Sequence, residues 1–137
     1  MNTSGGSFAP GTTNTPAVMN ITKLSSAAIG RNLLVKFGAD ANHIALCGAA
    51  DTPIGVTVST ATAAEQPVAI ALLSGGVTMT SGAAIAYGST LEPAANGKVQ
   101  TLGGGVGTHL CVGQALTGAA GADVTITASA QFFIRDI

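Results

Sequence analysis

Residues 53–72, PIGVTVSTATAAEQPVAIAL, decide the fold class. Large apolar side chains alternate with small or polar ones towards both ends of this stretch. The apolar members are Ile54, Val56, Val58, Val68, Ile70 and Leu72. Because successive side chains of an extended strand point to opposite faces, a two-residue period is typical of strands that bury one face. The stretch therefore predicts two half-buried β-strands joined by an Ala-rich turn that ends at Pro67.

The same two-residue period returns in later segments. It is found in VTMTS at 77–81 and in VTITA at 124–128. Gly75-Gly76 and Asn96-Gly97 supply residue types that tolerate the positive φ angles of two-residue hairpin turns. Glycine, at 19 of 137 positions, recurs too often for long helices. The sequence predicts an all-β fold, either a compact β-barrel or a β-sandwich.

An internal repeat relates residues 30–72 to residues 88–129. The matched positions are Gly30 with Gly88, Leu33 with Leu91, Leu46 with Leu102, Ile54-Gly55 with Val112-Gly113, and Val68 and Ile70 with Val124 and Ile126. Two copies at so long a period do not make a solenoid, so they indicate two similar β units folded onto each other. Gln114 stands where the first copy has Val56. We therefore expect Gln114 to face a wetter site or a subunit interface.

Charged residues are scarce: they make up 8% of the sequence, against about 25% in an ordinary soluble domain. Five Lys and Arg residues and a net charge of −1 cannot form the basic patch that nucleic acid binding requires. No stretch approaches 18 consecutive apolar residues, so we expect no membrane span. A nearly neutral surface repels copies of itself weakly and tends to associate. The composition predicts a component of an assembly, with neither nucleic acid nor membrane as partner.

Residues 1–29 differ in composition from the rest and are expected to form an extended arm before a β domain at 30–137. Lys23 is the first charged residue, and Gly, Ser, Thr, Asn and Pro dominate before it. Such a segment buries too little apolar area to offset its ordering entropy alone. Two interpretations stay open: a disordered tail, or an arm that orders against a partner. The anchors of such an arm would be Phe8, Pro10, Pro16 and Val18.

The sequence offers no recognisable constellation for catalysis or metal binding. Its six acidic residues lie singly in or beside predicted turns, where carboxylates usually cap turns or solvate loops. A zinc site could be assembled only from His43, Cys47, His109 and Cys111, whose spacing is looser than zinc sites usually show. GGGVG at 103–107 lacks the Lys-Ser/Thr that follows a phosphate-binding loop. We expect no enzyme activity, no cofactor and no metal, with both cysteines reduced.

A set of small and apolar positions over residues 30–130 carries a family resemblance. These positions are Ile54-Gly55-Val56, Val68-x-Ile70-x-Leu72, Gly76-Val77, Gly82-Ala83-Ala84-Ile85, Gly88, Asn96-Gly97-Lys98-Val99 and Val112-Gly113-x-Ala115-Leu116. With this pattern the chain resembles the capsid cement, or decoration, proteins of tailed bacteriophages. It departs from the family in its longer polar N-terminal segment, in the GGGVG loop, and in QFFIRDI at 131–137.

The resemblance implies a small structural protein that binds the major capsid protein on the outside of the phage head, often as a homotrimer. It would be made in the host cytoplasm, end up on the outer surface of the virion, and stabilise the expanded shell. The alternative function is a head-fibre or surface module that binds host glycans. Such a module would favour exposed aromatic side chains, whereas this sequence has no Trp and one Tyr.

The segment 131–137 contains a cluster of large apolar side chains, formed by Phe132, Phe133 and Ile134. Two interpretations stay open for this cluster. It packs in the core of the domain, or it forms a subunit interface together with Gln114.

Overall fold

Ten β-strands and one short 3₁₀ turn make up the structure, a computed structural model that describes residues 20–137. The strands are β1 (Asn20–Ser25), β2 (Leu34–Phe37), β3 (His43–Leu46), β4 (Gly55–Thr57), β5 (Pro67–Leu72), β6 (Ser74–Thr80), β7 (Thr90–Pro93), β8 (Val99–Thr101), β9 (Thr108–Ala115) and β10 (Thr125–Asp136). The 3₁₀ turn covers Ala95–Gly97. The predicted all-β fold class is confirmed.

The first five strands close into a barrel in the order β1-β3-β2-β4-β5. β1 completes the barrel because it pairs antiparallel with β5, as in Ile21↔Ile70, and parallel with β3, as in Leu24↔His43. Residues 20–25, which the composition predicts to be part of the N-terminal arm, are therefore a strand of the barrel. Their alternation is short and includes Lys23 and polar residues, so composition alone gave no sign of it. Ile29, also placed in the expected arm, is buried in the barrel core and bridges to Ala61. Residues 1–19, with Phe8, Pro10, Pro16 and Val18, lie outside the described residues.

The second five strands repeat this topology in the order β6-β10-β9-β7-β8. Each pairing of the first unit has its counterpart: β6 with β10, β10 with β9, β9 with β7, and β7 with β8. The parallel contact that closes the first barrel is reduced here to a single bridge, Ser81↔Val99. The expectation of two similar β units is thus confirmed.

Strand pairing also shows which residues of the two units are equivalent. Gly55 pairs with Leu72, and Gly113 pairs with Ala130, so Gly55 and Gly113 are equivalent, as the sequence repeat indicated. The same registers make Ile126 the counterpart of Val68, whereas the sequence alignment had given it to Ile70. A shift of two residues keeps every side chain on its original face. For that reason the apolar pattern could not detect it.

The two units pack into one body through the outer face of the first barrel. Alternate residues of β2, β4 and β5 point inwards, where Val35 and Ile70 belong to the core of the first barrel. Their neighbours Leu34, Val56 and Ala71 face the other way and join the core of the second unit. The first unit therefore buries both faces of these strands, which explains why residues 53–72 are apolar at so many positions.

In each unit a buried serine anchors, through a hydrogen bond, the loop that precedes the last strand, β5 or β10. Ser25 Oγ donates to the Ala63 carbonyl at 2.8 Å, and Ser81 Oγ donates to the Gly121 carbonyl at 2.7 Å. The residue at the end of that loop has a left-handed backbone, with φ of 65° at Glu65 and 63° at Asp123. Its N–H donates to the carbonyl of the same serine.

In each unit an ion pair also anchors the end of this loop. His43 Nε2 lies 2.9 Å from Glu65 Oε2 in the first unit, and Lys98 Nζ lies 2.6 Å from Asp123 Oδ1 in the second. The two pairs are equivalent in position but not in chemistry, because only the histidine changes its charge near neutral pH.

Stability is expected to fall between pH 6 and pH 8 because of His43. Hydrogen bonds to Asp40 and then to Glu65 raise the pKa of His43 above its ordinary value of 6.5. A group with a raised folded-state pKa stabilises fully below its unfolded pKa, and this contribution is lost as pH rises through the folded pKa. The urea midpoint should therefore be higher at pH 6 than at pH 8, and His43→Gln should flatten this dependence. Lys98→Gln is the matched control and should keep the slope; an unchanged slope in His43→Gln would refute the assignment.

Candidate functional site

The titratable side chains of the structure serve mainly to hold loops. His43 lies between two carboxylates, with Nδ1 2.7 Å from Asp40 Oδ1 and Nε2 near Glu65. Lys36 Nζ donates to Asp51 Oδ2 at 2.7 Å, and this bond holds the pKa of Asp51 below its usual value. In each case the contact joins a strand to a turn, so we assign these residues a structural role.

The four residues considered for a zinc site do not come together. Over residues 20–137, no three His, Cys, Asp or Glu side chains are placed to hold a metal ion. Cys47 and Cys111 are free and buried in different units. Burial raises the pKa of Cys47 to about 11 and also raises that of Cys111. Because the thiolate is the nucleophile and the metal ligand, a raised pKa lowers the reactivity of both thiols.

His109 and Glu92 anchor the GGGVG loop beside a shallow cleft. His109 Nε2 lies 2.7 Å from the Gly105 carbonyl, and Nδ1 lies 3.4 Å from Glu92 Oε1. Glu92 also accepts hydrogen bonds from Gln100 Nε2 at 2.6 Å and from the Gly103 N–H at 3.3 Å. The carboxylate is thus occupied by loop contacts, and the arrangement fixes residues 103–107 against β7.

Gln114 lies on an exposed polar face of the second unit, and its expected place in a subunit interface stays a prediction. Its Nε2 donates to the Gly88 carbonyl at 3.0 Å, and a shallow pocket beside it is lined by Thr90, Gly113, Gln114, Ser129, Gln131 and Phe133. The equivalent residue Val56 is buried against the second unit. Within residues 20–137 no other unit packs on this face of the second unit, and polar residues stand there in place of apolar ones, as on the outer face of a capping repeat.

The cluster at Phe132, Phe133 and Ile134 lies on a projecting two-stranded ribbon. β6 accompanies β10 only as far as the pair Gln131↔Ser74. Beyond it β10 continues to Asp136, and β9 is its only partner among the strands of residues 20–137. Phe132 is 36% exposed and Ile134 is 60% exposed, so these side chains do not pack in the core. Exposed apolar residues on a projecting element are typical of a contact surface.

Sequence reasoning missed two features of this end of the molecule. Val106, in the GGGVG loop, is almost fully exposed, and the Gly107 and Ile137 backbones exchange two hydrogen bonds that close the tip of the ribbon. The segment QFFIRDI could have indicated a longer last strand. Its side-chain alternation is weak, however, because a bulge interrupts its register between Ala130 and Phe133.

Comparison of structures gives a clear match in fold. The structure is similar to the crystal structure of the N base of the head fiber protein gp8.5 of bacteriophage phi29, with a TM-score of 0.67 and 15% sequence identity. The match covers 82% of this chain and 93% of the fiber base. No protein-family model and no curated protein matches the sequence. Over the described part of the chain, no helix has the length and apolar character needed to cross a bilayer.

Proposed function

We propose that this protein is a structural component of the outer surface of a tailed-bacteriophage head, where it decorates and stabilises the shell. The observation that carries the proposal is the fold shared with the N base of a phage head fiber, which spans nearly the whole of that chain. The resemblance of residues 30–130 to capsid decoration proteins supports the same location from the sequence.

The surface chemistry supports a structural role in an assembly. The titratable groups described above hold loops, and both thiols are buried. Charged residues make up only 8% of the sequence, so neighbouring molecules on a lattice would repel each other weakly. The partner in this role is the major capsid protein, and contacts to several capsid subunits at once would add through effective concentration.

Removal of residues 2–18 is expected to weaken binding to heads without unfolding the protein. In this proposal the segment with Phe8, Pro10, Pro16 and Val18 lies along the capsid surface as an added strand at an exposed edge, as extended peptides often do. Because β1 starts at Asn20, the truncated chain keeps both β units. Co-sedimentation with heads that lack the protein measures the affinity, and urea unfolding checks the fold. Full affinity of the truncated chain would refute the role of the arm.

A second candidate function is that of a base for a head fibre or a module that binds host glycans. The observation that favours it is the same structural match, because that protein is itself a head fiber base. Tyr87, which is 80% exposed, offers an aromatic face of the kind that sugars stack on. A glycan-binding screen of the purified protein, with Tyr87→Ala as the control, tests this candidate. Binding that Tyr87→Ala abolishes would support recognition over decoration.

The stabilising role has its own test. Heads with and without the protein are heated, and DNA release is followed with a dye. The proposal predicts release at a lower temperature from heads that lack the protein, and restoration when purified protein is added back. Equal release temperatures would contradict a stabilising role.

A further inference from the structure

One edge of β10 is left open over its last residues. β9 pairs with β10 from Phe133 to Asp136, whereas β6 stops at Gln131. On the side of β10 that faces away from β9, residues 132–136 pair with no other strand of the described chain. An open edge with exposed apolar side chains is a ready template for another strand, and a two-stranded ribbon gains stability from added strands.

Hydrogen bonding at the tip shows which backbone groups point outwards. Ile137 and Gly107 donate to each other's carbonyls at 2.9 and 3.0 Å, so the groups of Ile137 point towards β9. Backbone groups alternate in direction along an antiparallel strand. Those of Arg135 therefore also point towards β9, while those of Ile134 and Asp136 point to the open edge.

We propose that two copies of the chain pair through this edge, with β10 antiparallel to β10 of the second copy about a two-fold axis at Ile134. This pairing joins the ribbons into one four-stranded sheet in the order β9-β10-β10-β9. It buries the exposed side chains of Ile134 and Phe132, and the backbone groups of Ile134 form two hydrogen bonds with those of its counterpart.

Charge and strand direction select this register. Outward-pointing residues must face outward-pointing residues, so the centre of the pairing lies on a single residue. A centre at Arg135 or Asp136 would place like charges opposite each other, which is unfavourable. A centre at Phe133 would require Gln131, which already pairs with β6. A centre at Ile134 pairs residues 132–136 of the two strands, up to the end of β10 at Asp136, and so avoids all three conflicts.

The same register provides a partner for Arg135. None of the ion pairs among residues 20–137 includes Arg135. In the proposed pairing its guanidinium lies opposite Phe133 of the second copy, twice per dimer, where a cation–π contact is favourable. Because an isologous contact closes after two copies, this pairing gives a dimer rather than the homotrimer that the family resemblance implied. The proposal concerns the purified protein and does not depend on the head function.

The test measures the mass of the full-length protein over a wide range of concentrations by sedimentation equilibrium. The wild type is expected to approach twice the chain mass as concentration rises. Ile134→Pro removes an N–H that has no partner among residues 20–137, and proline is tolerated at strand edges, so the variant should fold but dimerise at least about 100-fold more weakly. Ile134→Ala keeps the N–H and should weaken the dimer less. A urea midpoint equal to that of the wild type at monomeric dilution confirms that Ile134→Pro is folded.

Amide hydrogen exchange gives a second readout that needs no variant. The N–H groups of Ile134 and Asp136 should gain protection as concentration rises, while that of Arg135 is already bonded to β9. A wild type that stays monomeric, a trimer, or an Ile134→Pro variant that dimerises as tightly as the wild type would overturn the proposal. None of these outcomes bears on the binding of the protein to heads, which the co-sedimentation experiment tests.

Discussion

Replacing Gly113 by alanine is expected to destabilise the protein by about 4 kcal/mol, because backbone strain and overpacking each cost roughly 1–3 kcal/mol. Gly113 has a φ of 141°, which side chains rarely adopt. A methyl group there would also overlap the Ser129 carbonyl oxygen on the neighbouring strand. Since small domains have only about 5–15 kcal/mol of stability in total, the loss should be visible as a large drop in the urea midpoint.

Gly76→Ala is the matched control for this prediction. Gly76 lies on β6 and pairs with Ser129 of β10, and Gly113 lies on β9 at the other side of β10. A methyl group at Gly76 would meet no heavy atom within 4 Å. We expect its free energy of unfolding to change by less than about 1 kcal/mol. Equal effects of the two substitutions would show that Gly113 is not constrained by its conformation and its neighbour.

Leu91→Ala should lower the free energy of unfolding by about 3 kcal/mol, within the range that leucine truncations in cores show. Leu91 is fully buried and belongs to the apolar cluster that unites the second unit with the outer face of the first barrel. Leu116→Ala removes the same atoms from a side chain that is 54% exposed. Its effect should stay near 0.5 kcal/mol or below. Urea unfolding of both variants checks the difference, and similar losses would contradict the assigned core.

The fold class and the twofold repeat were readable from the sequence because both depend on side-chain alternation. The pair Gly55 and Gly113 also had a physical reason. A methyl group at either position would overlap a backbone carbonyl oxygen of the adjacent strand, so each unit needs glycine where two strands approach closely. A requirement of this kind fixes glycine at one position of each unit, so the equivalence can be read from the sequence.

Register and strand boundaries were less accessible. The sequence repeat matched Ile126 with Ile70, whereas strand pairing matches it with Val68. This shift of two residues leaves every side chain on the same face, so the apolar pattern does not reveal it. β1 was missed because its segment is polar in composition and is held mainly by its pairing with β5 and β3. The register of β10 and the formation of β1 both depend on contacts between distant parts of the chain. A local sequence pattern carries no information on such contacts.

The sequence pointed to Gln114 and to residues 132–134 as candidate surface positions, and their role in an interface stays a prediction. Gln114 interrupts the repeat on an exposed face of the second unit, and that difference from Val56 is visible in the sequence. The cluster at Phe132 and Ile134 was open to two interpretations, since an apolar run looks the same in a core and on an interface. Only the length of β10 beyond β6 decides that Phe132 and Ile134 are exposed.

The central claim is that this protein decorates the outside of a phage head, and the most direct test is its copy number in purified particles of the virus that encodes it. Quantitative mass spectrometry gives its ratio to the major capsid protein. The account predicts a number of copies in a simple lattice ratio to that protein. A handful of copies per particle would point to a fibre or vertex component, and absence from the particle would contradict the claim altogether.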